Sequence, residues 1–408
     1  MPRTRLAFLA LLPLLAAGCG GSAGASDPAS PTAAANPSPT PTPGPFDTGV
    51  LHEARLDVDP AVFQTLLDHY LDDTYYPANI SFDGQSLANV GIRSRGEGSR
   101  SNVKPAIQVS FAKYQKGQTL FGLQGVALKN LVQDASMLRE ALALPVFAAM
   151  GIPSPRASFA RLYVNGDYYG LYNVIEDVED DPFLLEHFAE KSGNLFKYDY
   201  TFDWNFTFMG DDPARYVPEP FKPETHKDTP DSSGVVAMVD AINHAPDASY
   251  AASISAYLDP QQLATYVAIE NALAERDGFL GDQGLNNFYV YQATGGTHFV
   301  VVPWDKNTSF TAGSWPLFRN VDGDVLTSRL FADPAQRQAY VNAAKQAVTS
   351  YVNSDYLGPR LDAFYAQVRD AALADPKKPF TNDEFEGSVG GLRGVIAARQ
   401  ADVLAQAQ

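Results

Sequence analysis

Three polar residues in the second half of the chain, Asp277, Asn287 and Asp305, surround a short run that reads as a β-hairpin. Asp277 lies in the loop Glu275-Arg276-Asp277-Gly278, Asn287 opens the first hairpin strand, and Asp305 follows the second in Pro303-Trp304-Asp305. A loop carboxylate can accept a hydroxyl proton, while a second carboxylate and an amide can hold Mg2+ through oxygen. Those are the groups that phosphoryl transfer needs. An anion cradle is present earlier in the chain, in Arg93-Ser94-Arg95-Gly96-Glu97-Gly98-Ser99-Arg100, where glycines free the backbone and three arginines supply charge. Lys104 follows this loop and Glu140 lies on the next helix, an ammonium and a carboxylate of the kind that phosphotransferases set against nucleotide phosphates.

Other chemistries lack their signatures. No His-Glu-x-x-His occurs, no Gly-x-Ser-x-Gly stands as a nucleophile elbow between a strand and a helix, and the six histidines show no ligand spacing. Asn320-Val321-Asp322-Gly323-Asp324 resembles part of a calcium loop without its closing glutamate. The acidic run from Glu176 to Asp181 reads as a solvated cluster at a strand end.

The elements that must position these groups fall into two regions. The first reads mostly as strands: His52 to Val58, a hairpin of Ala78 to Phe82 and Ser86 to Arg93 around Asp83-Gly84, Ala106 to Phe111, and a second hairpin around Asn165-Gly166. Asp59-Pro60 opens a short helix, and Ser136 to Met150 has helical apolar spacing, with Asp134 or Ser136 as cap and an internal Pro145 that should kink it. The second region is mainly helical: Leu184 to Lys191, Ser232 to Asn243, Pro260 to Leu273, Pro334 to Tyr351, Leu357 to Ala374 and Asn382 to Gln406. Asp259-Pro260 and Asp333-Pro334 are caps followed by a first-turn proline. One hairpin, Asn287 to Gln292 with Thr297 to Val302, interrupts the helices. The expectation is an α+β chain with a sheet-rich lobe over 46–178 and a mainly helical lobe over 179–408.

The N-terminus reads as an export signal over residues 1–18: Arg3 and Arg5, an apolar run from Leu6 to Ala17, then Gly18-Cys19. Leu15-Ala16-Ala17-Gly18-Cys19 resembles a lipobox, and Cys19 is the chain's single cysteine, so a lipid anchor on Cys19 to a bacterial membrane is expected. Residues 19–45, rich in Pro, Ala, Ser and Thr, read as a disordered tether that cannot offset its ordering entropy. A net charge of −17 disfavours nucleic acid as a partner.

Several stretches together resemble the spore-coat protein H family, the CotH kinases, over Leu51 to Phe310. They are Asn89-Val90-Gly91-Ile92-Arg93, Lys104-Pro105, Leu138-Arg139-Glu140, Met150-Gly151-Ile152-Pro153-Ser154-Pro155-Arg156-Ala157, the run Leu162-Tyr163-Val164-Asn165-Gly166-Asp167-Tyr168-Tyr169-Gly170-Leu171-Tyr172, Asn194-Leu195-Phe196-Lys197, Asn287-Phe288-Tyr289-Val290-Tyr291 and Pro303-Trp304-Asp305. The resemblance implies an atypical protein-kinase-like, two-lobed fold that transfers the γ-phosphoryl of ATP to Ser or Thr of a surface or envelope protein. It implies that Arg93, Arg95, Gly96, Gly98 and Lys104 contact the nucleotide, that Glu140 holds Lys104, and that Glu176 lies at the hinge beside adenine. Asp277 would be the catalytic acid. Asp305 would bind Mg2+ (or Mn2+), with Asn287 or Asp282 as its companion, and Asn307 stands where the family often has a second acid. Glu97 in the glycine loop and Pro145 in the Glu140 helix also depart from the pattern. AMP transfer on the same fold and an inactive surface-binding module are the alternative functions.

Overall fold

A computed structural model describes residues 44–200 and 204–408. The expected signal, most of the tether and Cys19 lie outside the described residues. From the N-terminal side, β1 (His52–Asp57) precedes α1 (Pro60–Asp68), β2 (Tyr76–Phe82), β3 (Gln85–Arg95), β4 (Ala106–Ser110) and β5 (Gly125–Lys129). Then come α2 (Arg139–Ala149), β6 (Ala157–Val164) and β7 (Asp167–Ile175). These seven strands form a closed barrel in the order β1-β2-β3-β4-β5-β7-β6. The closing pair is the parallel one, His52 of β1 against Ala160 of β6. Closure leaves no strand edge to protect. Both hairpin turns form where Asp-Gly and Asn-Gly were read, with positive φ at Asp83, Gly84, Asn165 and Gly166. Ala54, Leu56, Ile80, Val90, Ile92, Ile107, Val109, Leu128 and Leu162 fill the barrel's own core.

The remaining chain is built of α3 (Asp181–Phe188), β8 (Asn194–Tyr198), β9 (Phe221–Pro223), α4 (Ser233–His244), α5 (Tyr250–Ile254), α6 (Pro260–Ala272), β10 (Phe288–Gln292) and β11 (Phe299–Pro303). It ends with α7 (Val325–Leu330), α8 (Pro334–Gln346), α9 (Ser354–Leu373) and α10 (Asn382–Gln406). Instead of a lone hairpin, β10 and β11 belong to a four-stranded sheet ordered β11-β10-β8-β9. The caps at Asp59, Asp259 and Asp333 accept first-turn backbone N–H bonds. Asp134 works from outside α2: its Oδ2 accepts from Arg139 N at 2.9 Å, while Leu138 occupies the cap position. Pro145 lies within α2 without ending it. The second, larger core takes in α2, whose Phe147 ring lies 5.3 Å from Tyr266 of α6. Among the described residues no helix is long and apolar enough to cross a membrane.

Candidate active site

β5 ends on Lys129, and the strand's four preceding residues are buried, so the lysine emerges at the rim of the barrel. There its Nζ lies 2.6 Å from Glu140 Oε1 of α2 and 3.0 Å from Asp305 Oδ1, just beyond β11. The Glu140 side chain is 2% exposed and that of Asp305 27%. Burial raises the Glu140 carboxyl against the opposing charge of Lys129. Burial also acts to raise Asp305, but Lys129, with help from Arg95 and Lys306, holds it below the ordinary range. Trp304 lies beside these groups, with the Lys129 ammonium 4.6 Å and the Arg95 guanidinium 5.0 Å from its ring.

A cavity of about 330 Å3 is lined by this group together with the glycine loop, Asp277, Asn287 and Asn307. That volume falls in the range of small-molecule sites. Asp277 is oriented from both sides: Asn286 Nδ2 donates to Oδ1 at 3.0 Å and Asn287 Nδ2 to Oδ2 at 3.0 Å. Burial pushes its carboxyl up, with Asn286 opposing.

A buried network supports this loop. Lys306 Nζ donates to Glu270 Oε1 at 2.7 Å and to the Asn287 carbonyl at 3.1 Å. Glu275 Oε1 accepts from Asp277 N at 2.8 Å and from Thr308 Oγ1. Glu270 leaves no room for a side chain at Gly278, where a Cβ would come within 2.5 Å of its Oε1. Ala274, Asn287 and Asp305 all hold positive φ here, and such conformations persist only where the surroundings over-determine them.

The structure brings together Arg95, Gly96, Gly98, Glu140, Asp277, Asn287, Asp305 and Asn307 in one cavity. It does not bring Lys104 there. The Lys104 side chain is 1% exposed, with Nζ 2.7 Å from Asp375 Oδ2 and 2.9 Å from the Leu171 carbonyl, so Glu140 pairs with Lys129 instead. Burial lowers the Lys104 pKa, against the pull of Asp375. Glu176 is also displaced from its expected place: it is buried on Arg156, accepting from Nε at 3.0 Å, and does not line the cavity. Arg93 turns to Asp73 at 2.9 Å and lines a neighbouring cavity of about 410 Å3 that shares Arg95, Gly96, Glu97 and Lys197. Asp282 is tied to Arg319 outside both cavities, which leaves Asn287 beside Asp277. Of the two loop glycines, Gly96 requires its type, with φ +96 and a Cβ position 2.5 Å from Ser99 Oγ, whereas Gly98 does not. The acidic run read as solvated is largely buried: Glu176 and Asp180 are covered, and Asp180 Oδ2 accepts from the N–H groups of Gln124 and Gly125.

Lys129 is the residue the sequence reading missed. A signal was available, because Val126-Ala127-Leu128-Lys129 has the apolar strand ending in lysine that kinases use.

Fold and site together define an α+β protein whose barrel-end lysine is held between two carboxylates in a polar cleft. A family model described as CotH kinase protein matches residues 92–403, and the chain belongs to that family. The match runs through α9 and into α10, past the Phe310 limit of the recognisable motifs. The inner spore coat protein H of Bacillus subtilis is 25% identical over 348 residues, covering 81% of this chain and 91% of that one. Spore coat protein homolog 1 of Rhizopus delemar is 22% identical, covering 61% of this chain and 42% of its own length. Invasin CotH7 of the same organism is 22% identical, with 74% and 54% covered.

Proposed function

We propose that this protein transfers the γ-phosphoryl group of ATP to a serine or threonine hydroxyl of a protein outside the cytoplasm. The observation that carries this reading is Lys129, fixed between Glu140 and Asp305 in the cavity that also holds Asp277. In this reading the barrel and the helical region act as the two lobes of a kinase-like fold, with ATP between them. Lys129 and Arg95 hold phosphate oxygens. Asp305 offers its second carboxylate oxygen, with the amide oxygens of Asn287 and Asn307, to Mg2+ or Mn2+, which supplies charge neutralisation at the transferring phosphate. No set of three His, Cys, Asp or Glu gathers as a metal site among the described residues. That suits an ion that keeps waters and substrate phosphates in its shell. Asp277, steadied by Asn286 and Asn287, takes the hydroxyl proton as the substrate oxygen attacks phosphorus and ADP leaves.

Two of the relatives are named as spore coat proteins and one as an invasin, which supports a place outside the cytoplasm. The export signal and Cys19 add a lipid anchor to this reading. The test is Asp277→Asn, which keeps size and removes the basic oxygen. Mg-ATP binding should match the parent, and transfer of label from γ-labelled ATP should fall about 10²- to 10⁴-fold. Transfer at the parental rate would reject the role of Asp277. Label arriving only from α-labelled ATP would mean AMP transfer. Neither label, with no nucleotide bound by the parent, would mean a binding module.

A further inference from the structure

The glycine loop is folded on itself by short bonds. Arg100 Nε donates to the Gly96 carbonyl at 2.5 Å, and Ser101 Oγ accepts from Val103 N and Lys104 N, each at 3.1 Å. Its outer side is tied to the segment after α1, where Arg100 Nη2 meets Asp73 Oδ1 at 2.5 Å. Its far end is fixed by the Lys104–Asp375 pair. Its inner side is held by Asn130, which is 3% exposed and lines the cavity. Asn130 Nδ2 donates to the Ser99 carbonyl at 2.9 Å and to the Lys104 carbonyl at 2.7 Å. An amide nitrogen carries two hydrogens, so one side chain closes both ends of the segment between them.

Asn130 is also the residue directly after Lys129, so the end of β5 sets both the lysine and the loop. We propose that Asn130 is a positioning residue for the nucleotide: its amide clasps Ser99 and Lys104 and so fixes the position of the glycine loop relative to Lys129. This inference rests on the ATP reading above. It differs from a fold-stabilising role because it concerns a local segment against a cation, not the packing of a core. A loop preset in this way has less ordering to complete when a phosphate arrives, and affinity rises accordingly.

The test is made on the full chain with Asn130→Ala, which removes both donors, and with Asn130→Ser, which keeps a single hydroxyl donor if the first variant fails to fold. Amide hydrogen exchange across residues 96–104 should quicken while β5 and α2 keep parental protection. The Kd and KM for Mg-ATP should rise about 10-fold, as expected for one or two lost hydrogen bonds, with kcat within about threefold. In a parent that binds Mg-ATP, the proposal is overturned by exchange in the loop as slow as in the parent, by loop exchange that quickens with no change in Mg-ATP affinity, or by a loss confined to kcat. A parent that binds no Mg-ATP sinks the nucleotide reading and this inference with it. A parent that binds Mg-ATP no more tightly than a folded Asn130 variant sinks this inference alone.

Discussion

Lys104 and Lys129 carry the same ammonium in opposite settings. Lys104 is sealed against Asp375, and Gly170 beside it has φ +146 with a Cβ position 2.7 Å from the same carboxylate, so the pair fills its space. Lys129 stands at a cavity with 11% of its side chain exposed. Lys104→Met therefore strands a buried carboxylate and should cost about 3–5 kcal/mol of stability. Lys129→Met should remove most of the rise in melting temperature that Mg-ATP gives a protein that binds it. Thermal melts with and without Mg-ATP separate the two, and a nucleotide shift that survives Lys129→Met would reject the cleft as the phosphate site. Asp305→Ala should likewise abolish the Mg2+-dependent part of that shift. Asn307→Asp restores a carboxylate to the cavity and should tighten Mg-ATP; weaker binding would place the metal elsewhere. These side chains show what sequence could and could not resolve. Asp277, Asn287 and Asp305 were legible because a local hairpin brings them together. That Lys104 lies outside the cavity was not, since Asp375, the residue that captures it, is 271 positions away along the chain.

At the scale of elements, β5 decides most. It has no alternation of exposed and buried residues, because both of its faces are covered, and period-two reasoning passes over such a strand. The start of β5 is held by Asp180, whose carboxyl burial and the Asp177 charge push up to about 7 while the N–H groups of Gln124 and Gly125 oppose that rise. An unfolded aspartate titrates near 3.9. Between about pH 4 and 7 the folded state keeps a proton that the unfolded chain has released, so this group lowers stability as pH rises through that window. Asp180→Asn keeps an oxygen for the two N–H groups and removes the titration. Its stability relative to the parent should climb across that window by up to about 4 kcal/mol. Denaturant melts at a series of pH values measure this, and a flat difference would show that Asp180 titrates normally. Elements with strong local signals were read within a few residues, as with α6 after Asp259-Pro260 and α10. The strands β8 and β9 were missed because only sheet pairing makes them strands, β8 against β10 and β9 against β8.

For the whole molecule, what the strand pattern could not foretell was closure. The alternation in β1 shows which face is buried but not that β6 lies parallel beside it, a pairing that joins residues about a hundred positions apart. Under the proposed lipid-anchored reading, the Pro-rich sequence ahead of the barrel would be the tether. Cys19→Ser should move the protein from the membrane fraction to the soluble fraction, and a variant that stays with the membrane would reject the lipid anchor.

Trp304 gives the cleft an optical property. The chain has three tryptophans, and Trp304 is the one that lines the cavity with Lys129 and Asp277, with Lys129 and Arg95 both against its indole. Cations at that distance polarise the excited ring. An anion that draws them away alters its emission, so the protein carries a built-in fluorophore at the point where phosphate would arrive.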